Sequence, residues 1–200
     1  MDGSRALIVV DVQPTFCEGG ELPVAGGNQV AARIADHLRA RHSDYRLIAT
    51  TQDWHVDPGA HFADQPDFVD SWPPHGIVGT PNAQLHPALA EAVEQTPGVV
   101  AIRKGEHQAA YSGFDGADEA GRTLEQVLAD AGIDDVEVCG IAESHCVRAT
   151  ALDANRLGYR TTVLTDLTVP VTPELGAQAR AELTAAGVRL RRSAEAADRG

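Results

Sequence analysis

Between residues 136 and 165 the chain reads Val136-Glu137-Val138-Cys139-Gly140-Ile141, then a helical pattern over 146–157, then Gly158, then Thr161-Thr162-Val163-Leu164-Thr165. The two runs are β-branched or apolar and bounded by turn residues, as mostly buried strands are. The segment between them stops at glycine, which helices favour just past their C-terminus. Strand, helix and strand in this order form the unit of a parallel sheet. The alternation recurs along the chain. Further strand-like runs fall at 6–12, 46–51, 99–103 and 188–191. Helical spacing appears at Val30, Ile34 and Leu38; at Leu85, Leu89 and Val93; at Leu124, Val127 and Leu128; and over 175–186. Gly132 and Gly187 close two of these segments. The expectation is an α/β fold: a doubly wound, mostly parallel six-stranded sheet with helices on both faces. In the common order the first strand is central and lies beside the second and fourth; the position of the third is not derivable from the pattern.

Two hundred residues suit a single domain spanning 1–200, with a small, polar tail at 193–200 expected to fray. Hydrophobic residues make up 43% and charged residues 22%, enough to build a core and too apolar for global disorder. The net charge of −13 argues against a nucleic-acid binder. The longest clean apolar run, 6–10, is far short of the ~20 residues of a membrane span, and no export signal is read at the start. With three cysteines, an odd number, reduced thiols and a cytoplasmic location are expected rather than a disulfide framework. A small-molecule substrate fits this profile, with the chain acting as a monomer or small homo-oligomer.

Ligands of doubly wound sheets sit beyond the carboxyl ends of the strands, so the residues there carry the functional reading. Asp11 closes the first run; for a lone Asp a helix or loop cap is the commoner reading. Lys104 closes the third and is the only lysine among fifteen arginines. Arginine cannot replace its compact, titratable ammonium. Cys146 opens the helix after the fourth run, where helix N–H groups favour a thiolate and an oxyanion. The ordinary alternative is a buried small hydrophobe, which suits Cys139 in mid-strand; Cys17 is assigned no role. Together an acid, an amine and a thiol can activate sulfur for attack on a carbonyl carbon. The segment 53–80 is a long loop holding Trp54, Trp72, three histidines and four prolines. Loops of this length in compact domains tend to be functional. Asp53 and His55, two apart on an extended segment, point the same way. With His61 and His75 they could form a divalent-metal site with positions open to water or substrate.

With these residues in place, the chain resembles the isochorismatase-like cysteine hydrolases, and among them the nicotinamidases, also called pyrazinamidases. The resemblance covers about residues 6–168. It rests on Val10-Asp11-Val12-Gln13 with Phe16-Cys17-Glu18-Gly19-Gly20; on Asp53-Trp54-His55 through His61-Phe62; on Ser71-Trp72-Pro73-Pro74-His75; on Lys104-Gly105; on Ala110-Tyr111-Ser112-Gly113-Phe114; and on Gly140-Ile141-Ala142 through His145-Cys146-Val147-Arg148. It implies a catalytic triad of Asp11, Lys104 and Cys146, and one divalent ion (zinc, iron or manganese) on Asp53, His55, His61 and His75. It also implies a cis peptide between Ile141 and Ala142, which would aim the Ala142 and Cys146 N–H groups at an oxyanion. Phe16, Leu22, Trp72, Tyr111 and His145 would line a pocket for a flat heteroaromatic amide. The implied reaction is nicotinamide hydrolysis through a thioester.

Two departures from the family pattern stand next to the chemistry. Pro14-Thr15 replaces the usual Asn-Asp after Gln13, and Glu143-Ser144 replaces Thr-Asp before the nucleophile. One alternative is a cysteine amidohydrolase of the same fold acting on a carbamoyl or ureido compound; such relatives generally lack the metal loop. Another is a non-catalytic metal-binding or interaction protein. A redox or closed metal site would want a Cys-x-x-Cys pair or four closed ligands, and no such pair occurs.

Overall fold

The computed structural model describes residues 4–196. Among them, six strands form one sheet: β1 (Arg5–Val10), β2 (Leu47–Asp53), β3 (Val100–Lys104), β4 (Asp135–Ile141), β5 (Arg160–Val169) and β6 (Arg189–Arg191). All neighbouring pairs are parallel, in the order β3-β2-β1-β4-β5-β6. This is a doubly wound order with β1 central, and it puts β3 outside β2.

The connecting helices are α1 (Gly27–Arg41), α2 (Pro87–Glu94), α3 (Leu124–Asp130), α4 (Arg148–Arg156) and α5 (Pro173–Ala185), followed by the short α6 (Ser193–Ala196). Strand side chains alternate between the two faces. Leu7 and Val9 join Val30, Ile34 and Leu38 of α1 and Leu89 of α2 in one buried layer. Ala6, Ile8 and Val10 join Leu128 of α3, Ala151 of α4 and Leu183 of α5 in the other. The glycines expected to close helices do so in left-handed conformation: Gly132, Gly158 and Gly187 have φ of 63°, 94° and 91°. The 193–200 tail begins as α6, where the Ser193 N–H and hydroxyl donate to Asp166 at 2.7 and 2.8 Å; its last four residues lie outside those described.

Three of the differences from the sequence reading bear on the site. β1 stops at Val10, because Asp11 takes a φ of 46° and leaves the ladder. β5 runs to Val169, beyond the expected 161–165: an irregularity between Val163 and Thr168 lets the chain rejoin β4, with Val138 opposite Val163 but Gly140 opposite Thr168. Cys146 does not begin an α-helix. It lies in a single wide π-turn, Glu143–Val147, that precedes α4.

Gly140 fixes how closely β4 meets β1 just before that turn. At φ 124°, a Cβ there would sit 2.0 Å from the Val10 carbonyl oxygen, a backbone atom that cannot swing away. Gly140→Ala is therefore expected to lower stability by at least about 2 kcal/mol. A denaturant titration measures it, and an unchanged midpoint would refute the close-approach argument.

Candidate active site and metal centre

Four of the expected site residues leave the sheet at one edge. Asp11 follows β1, Asp53 ends β2, Lys104 ends β3, and Cys146 lies beyond β4. Asp53 and Lys104 are register partners on adjacent strands. Neighbouring strands are ~4.8 Å apart, so reaching from β3 past β2 towards β1 requires a long side chain. Lys104 supplies it. Its side chain is wholly buried, with Nζ 2.9 Å from Asp11 Oδ2 and in still closer contact with Asp53 Oδ1. The ammonium also donates to the Ala110 carbonyl at 2.9 Å and lies 4.0 Å from Cys146 Sγ. Thr51 completes the Asp11 environment, donating its hydroxyl to Oδ1 at 2.6 Å.

Burial and pairing set the protonation states. Burial pushes the Cys146 thiol well above its ordinary value; the ammonium opposes this, while Asp11 and Asp53 add to it. These surroundings favour the thiol over the thiolate at rest. Burial also raises Asp11 against the pull of Lys104, which makes Asp11 a stronger base than an exposed carboxylate. For Asp53 burial is outweighed by the Lys104 ammonium, so it stays ionised. Lys104 stays charged because its two carboxylates outweigh the cost of burial.

The imidazoles converge beside this cluster. Ligating atoms of His55, His61 and His75 all lie within 4.8 Å of one another, and all three residues are buried. Asp53 Oδ2 is 3.6 Å from Nε2 of both His55 and His75. His55 Nδ1 meets the Gly105 carbonyl at 2.6 Å and His75 Nδ1 meets the Pro73 carbonyl at 2.8 Å. A carbonyl only accepts, so each Nδ1 carries the proton and each Nε2 turns a lone pair inward. His55 Nε2 and His61 Nδ1 are buried without a hydrogen-bond partner. Lone pairs gathered around a carboxylate, with no proton to meet, are the donor set a divalent cation requires, so these residues fit a metal. Gly105 is needed for this approach: at φ 82°, a Cβ there would come within 2.5 Å of the His55 ring.

A cavity of about 400 Å³ opens onto both groups. Phe16, Leu22, Trp72, Tyr111 and His145, the five expected pocket residues, all line it, as do Ala142, Cys146, Asp53, His61 and His75. Asp11, Lys104 and His55 are set behind the wall. The Ile141–Ala142 peptide is cis, as the resemblance implied. Trp72 Nε1 donates to the Tyr111 hydroxyl at 2.8 Å, and Trp72 meets His145 edge-on at 5.7 Å. Trp54 instead packs under the Arg103 guanidinium at 4.4 Å and is not among the lining residues. All three cysteines are free and buried. No helix among the described residues is long and apolar enough to cross a membrane.

The sequence reading missed Phe68 and Val171, exposed apolar residues that also line the cavity. Their loops carry no hydrophobic period that would flag them. A sharper signal was available at Asp67, where Asp, then Ser four residues later, marks a capped turn.

Known proteins share this architecture. The isochorismatase domain model matches residues 5–195, and the chain belongs to that family. It is 48% identical over 187 residues to the nicotinamidase/pyrazinamidase of Mycobacterium tuberculosis, covering 93% of this chain and 97% of the relative. The pyrazinamidase of Pyrococcus horikoshii, solved with zinc, superposes with a TM-score of 0.78 at 32% identity, covering 94% of this chain and 99% of that one. A protein from L. infantum, solved with nicotinate, superposes with a TM-score of 0.80 at 34% identity, covering 97% and 95%.

The turn that carries Phe68 to the cavity is held by one carboxylate. Asp67 Oδ1 accepts from the N–H groups of Val69, Asp70 and Ser71 at 2.9, 3.0 and 2.9 Å. These bonds favour the charged form and hold its pKa well below the usual carboxylate range. The contribution is therefore complete above the unfolded value of 3.8 and is lost only as pH falls through the depressed folded value. Hydrogen exchange should find the three amides protected at pH 5 and unprotected in Asp67→Ala. Equal exchange in the two proteins would contradict the cap.

Proposed function

We propose that this protein hydrolyses nicotinamide, and pyrazine analogues of it, to the carboxylic acid and ammonia by attack of Cys146 on the amide carbon. The observation that carries the reading is a buried ammonium touching two carboxylates and a thiol, beside a cluster of three imidazoles, two of which, His61 and His75, line the same cavity. The names of the relatives and the nicotinate-bound neighbour support the substrate class.

Phe16, Leu22, Trp72, Tyr111 and His145 hold the flat ring so that its carboxamide lies over the sulfur, which lowers the barrier by orientation. Asp11 accepts the thiol proton, and the Lys104 ammonium stabilises the charge that develops on sulfur. Sulfur adds to the carbonyl carbon while the N–H groups of Ala142 and Cys146 hold the oxyanion; one such donor is worth ~2.7–4 kcal/mol. Asp11 returns the proton to nitrogen, the C–N bond breaks and ammonia leaves. Asp11 then takes a proton from water, whose oxygen attacks the thioester carbon; the C–S bond breaks and the proton returns to sulfur. His55, His61, His75 and Asp53 would hold one divalent ion, zinc, iron or manganese, which when bound supplies a Lewis-acid seat for the ring nitrogen. Free buried thiols suit a reducing compartment such as the cytoplasm.

Cys146→Ala is expected to abolish ammonia release while circular dichroism and the thermal midpoint stay those of the parent. Substantial turnover by that variant would rule out covalent catalysis by the thiol. Removal of metal by a chelator, or His55→Ala, is expected to raise KM more than it lowers kcat, with recovery of the stripped parent on adding the ion back. An unchanged KM in the stripped protein would count against a seat for the ring nitrogen.

A further inference from the structure

The turn that carries Cys146 is fastened to α5 by two ion pairs of opposite sense. Glu143, the first residue of the turn, is 2% exposed, and its Oε2 accepts from Arg180 Nη1 at 2.5 Å. Arg148, which directly follows the turn, donates from Nη1 to Glu182 Oε2 at 3.0 Å. Acid pairs with base at the start of the turn and base with acid at its end, and both partners stand on α5, two residues apart. The helix is cut to fit: a Cβ at Gly176 would come within 3.1 Å of Glu143 Oε2 and 2.8 Å of Pro170. Between the two pairs, Ser144 Oγ accepts from the Val171 N–H at 3.2 Å and is 2.9 Å from His145 Nδ1. Inside the turn, the Ala142 carbonyl accepts from the N–H groups of both His145 and Val147, at 3.0 and 3.2 Å. Rotation of the turn about this hinge would move Sγ relative to Lys104 and the Ala142 amide together.

We propose that Glu143 and Arg180 are positioning residues for this reaction: their ion pair sets the angle of the nucleophile turn, and so the rate of attack by Cys146, without touching substrate. A buried carboxylate with a charged partner makes such a clamp, because the pair is short, directional and tolerates few alternative geometries. Of the five residues that grip the ring, Phe16, Leu22, Trp72 and Tyr111 are on other segments and stay in place when the clamp is cut; His145 alone shares the turn. The effect therefore falls mainly on kcat, with KM changed little.

The inference rests on the amidohydrolase reading, and its test separates the two. Parent, Arg180→Met, Arg180→Lys and the double variant Glu143→Gln/Arg180→Met are compared as metal-loaded full chains. Three readouts are taken: kcat and KM for ammonia release from nicotinamide, the rate of Cys146 alkylation by iodoacetamide, and the thermal midpoint. Arg180→Met is expected to lose at least tenfold in kcat with KM within twofold, and to alkylate at a rate at least threefold different from the parent. Arg180→Lys, which keeps the charge, is expected to recover a large part of kcat. The double variant no longer buries an unpaired carboxylate, so its thermal midpoint should recover towards the parent while kcat stays low. A double variant whose kcat recovers along with its midpoint would reduce the pair to a structural role and overturn the proposal. So would an Arg180→Met variant with parental kcat and alkylation rate, or one whose KM moves in place of kcat. If the parent itself releases no ammonia, the amidohydrolase reading fails, and the alkylation rates still decide whether the pair orients the thiol.

Discussion

A single buried ammonium organises this site. Lys104 is the last residue of β3, and its Nζ meets Asp11 from β1, Asp53 from β2, the Ala110 carbonyl, and Cys146 from beyond β4. Two carboxylates could not both ionise in so dry a place without it, and it could not stay protonated without them. With both carboxylates ionised, the arrangement carries one negative charge in excess, on the side where Asp53 faces His55 and His75. That excess is what makes the neighbouring imidazole cluster a seat for a cation. The buried thiol and the imidazole cluster are thus two ends of one charge system, joined through Asp53 and Lys104.

Asp11 shows how the same burial serves chemistry. An isolated thiol in this environment would be inert, since burial holds it protonated. Burial raises Asp11 as well, so the acceptor and the donor shift in the same direction and proton transfer between them stays feasible. The fold supplies this match by ending β1 at Val10 and turning Asp11 back towards Thr51 of β2. A short polar residue tolerates the left-handed backbone this requires.

Much of this was legible in the sequence because the site sits at strand ends. An acid and an amine each terminate an apolar run, a thiol follows another, and a lone lysine stands out in an arginine background. Asp53 and His55 could be paired by the two-residue period of an extended chain. What was not legible depends on contacts distant in sequence. The place of β3 is fixed by a crossover that leaves no local signal, so the reach of Lys104 past β2 could not be foreseen. The extension of β5 past Asp166 was hidden because an acid there reads as the end of a strand, although Ser193 caps it from 27 residues away. The wide turn at Glu143–Val147 has the hydrophobic spacing of an ordinary helix start, and its anchor on Arg180 lies 37 residues on.

The claim on which the account turns is that the Lys104 charge, and not merely its bulk, sustains the reaction. The direct measurement is kcat for ammonia release from nicotinamide by Lys104→Met, normalised to folded protein. Methionine keeps an unbranched chain of similar length but carries no charge. A loss of at least ~10²-fold is predicted, the scale found when one electrostatic stabiliser is removed from a buried reaction site. A kcat within a few-fold of the parent would show that the carboxylates and the thiol manage without the ammonium, and would contradict the account.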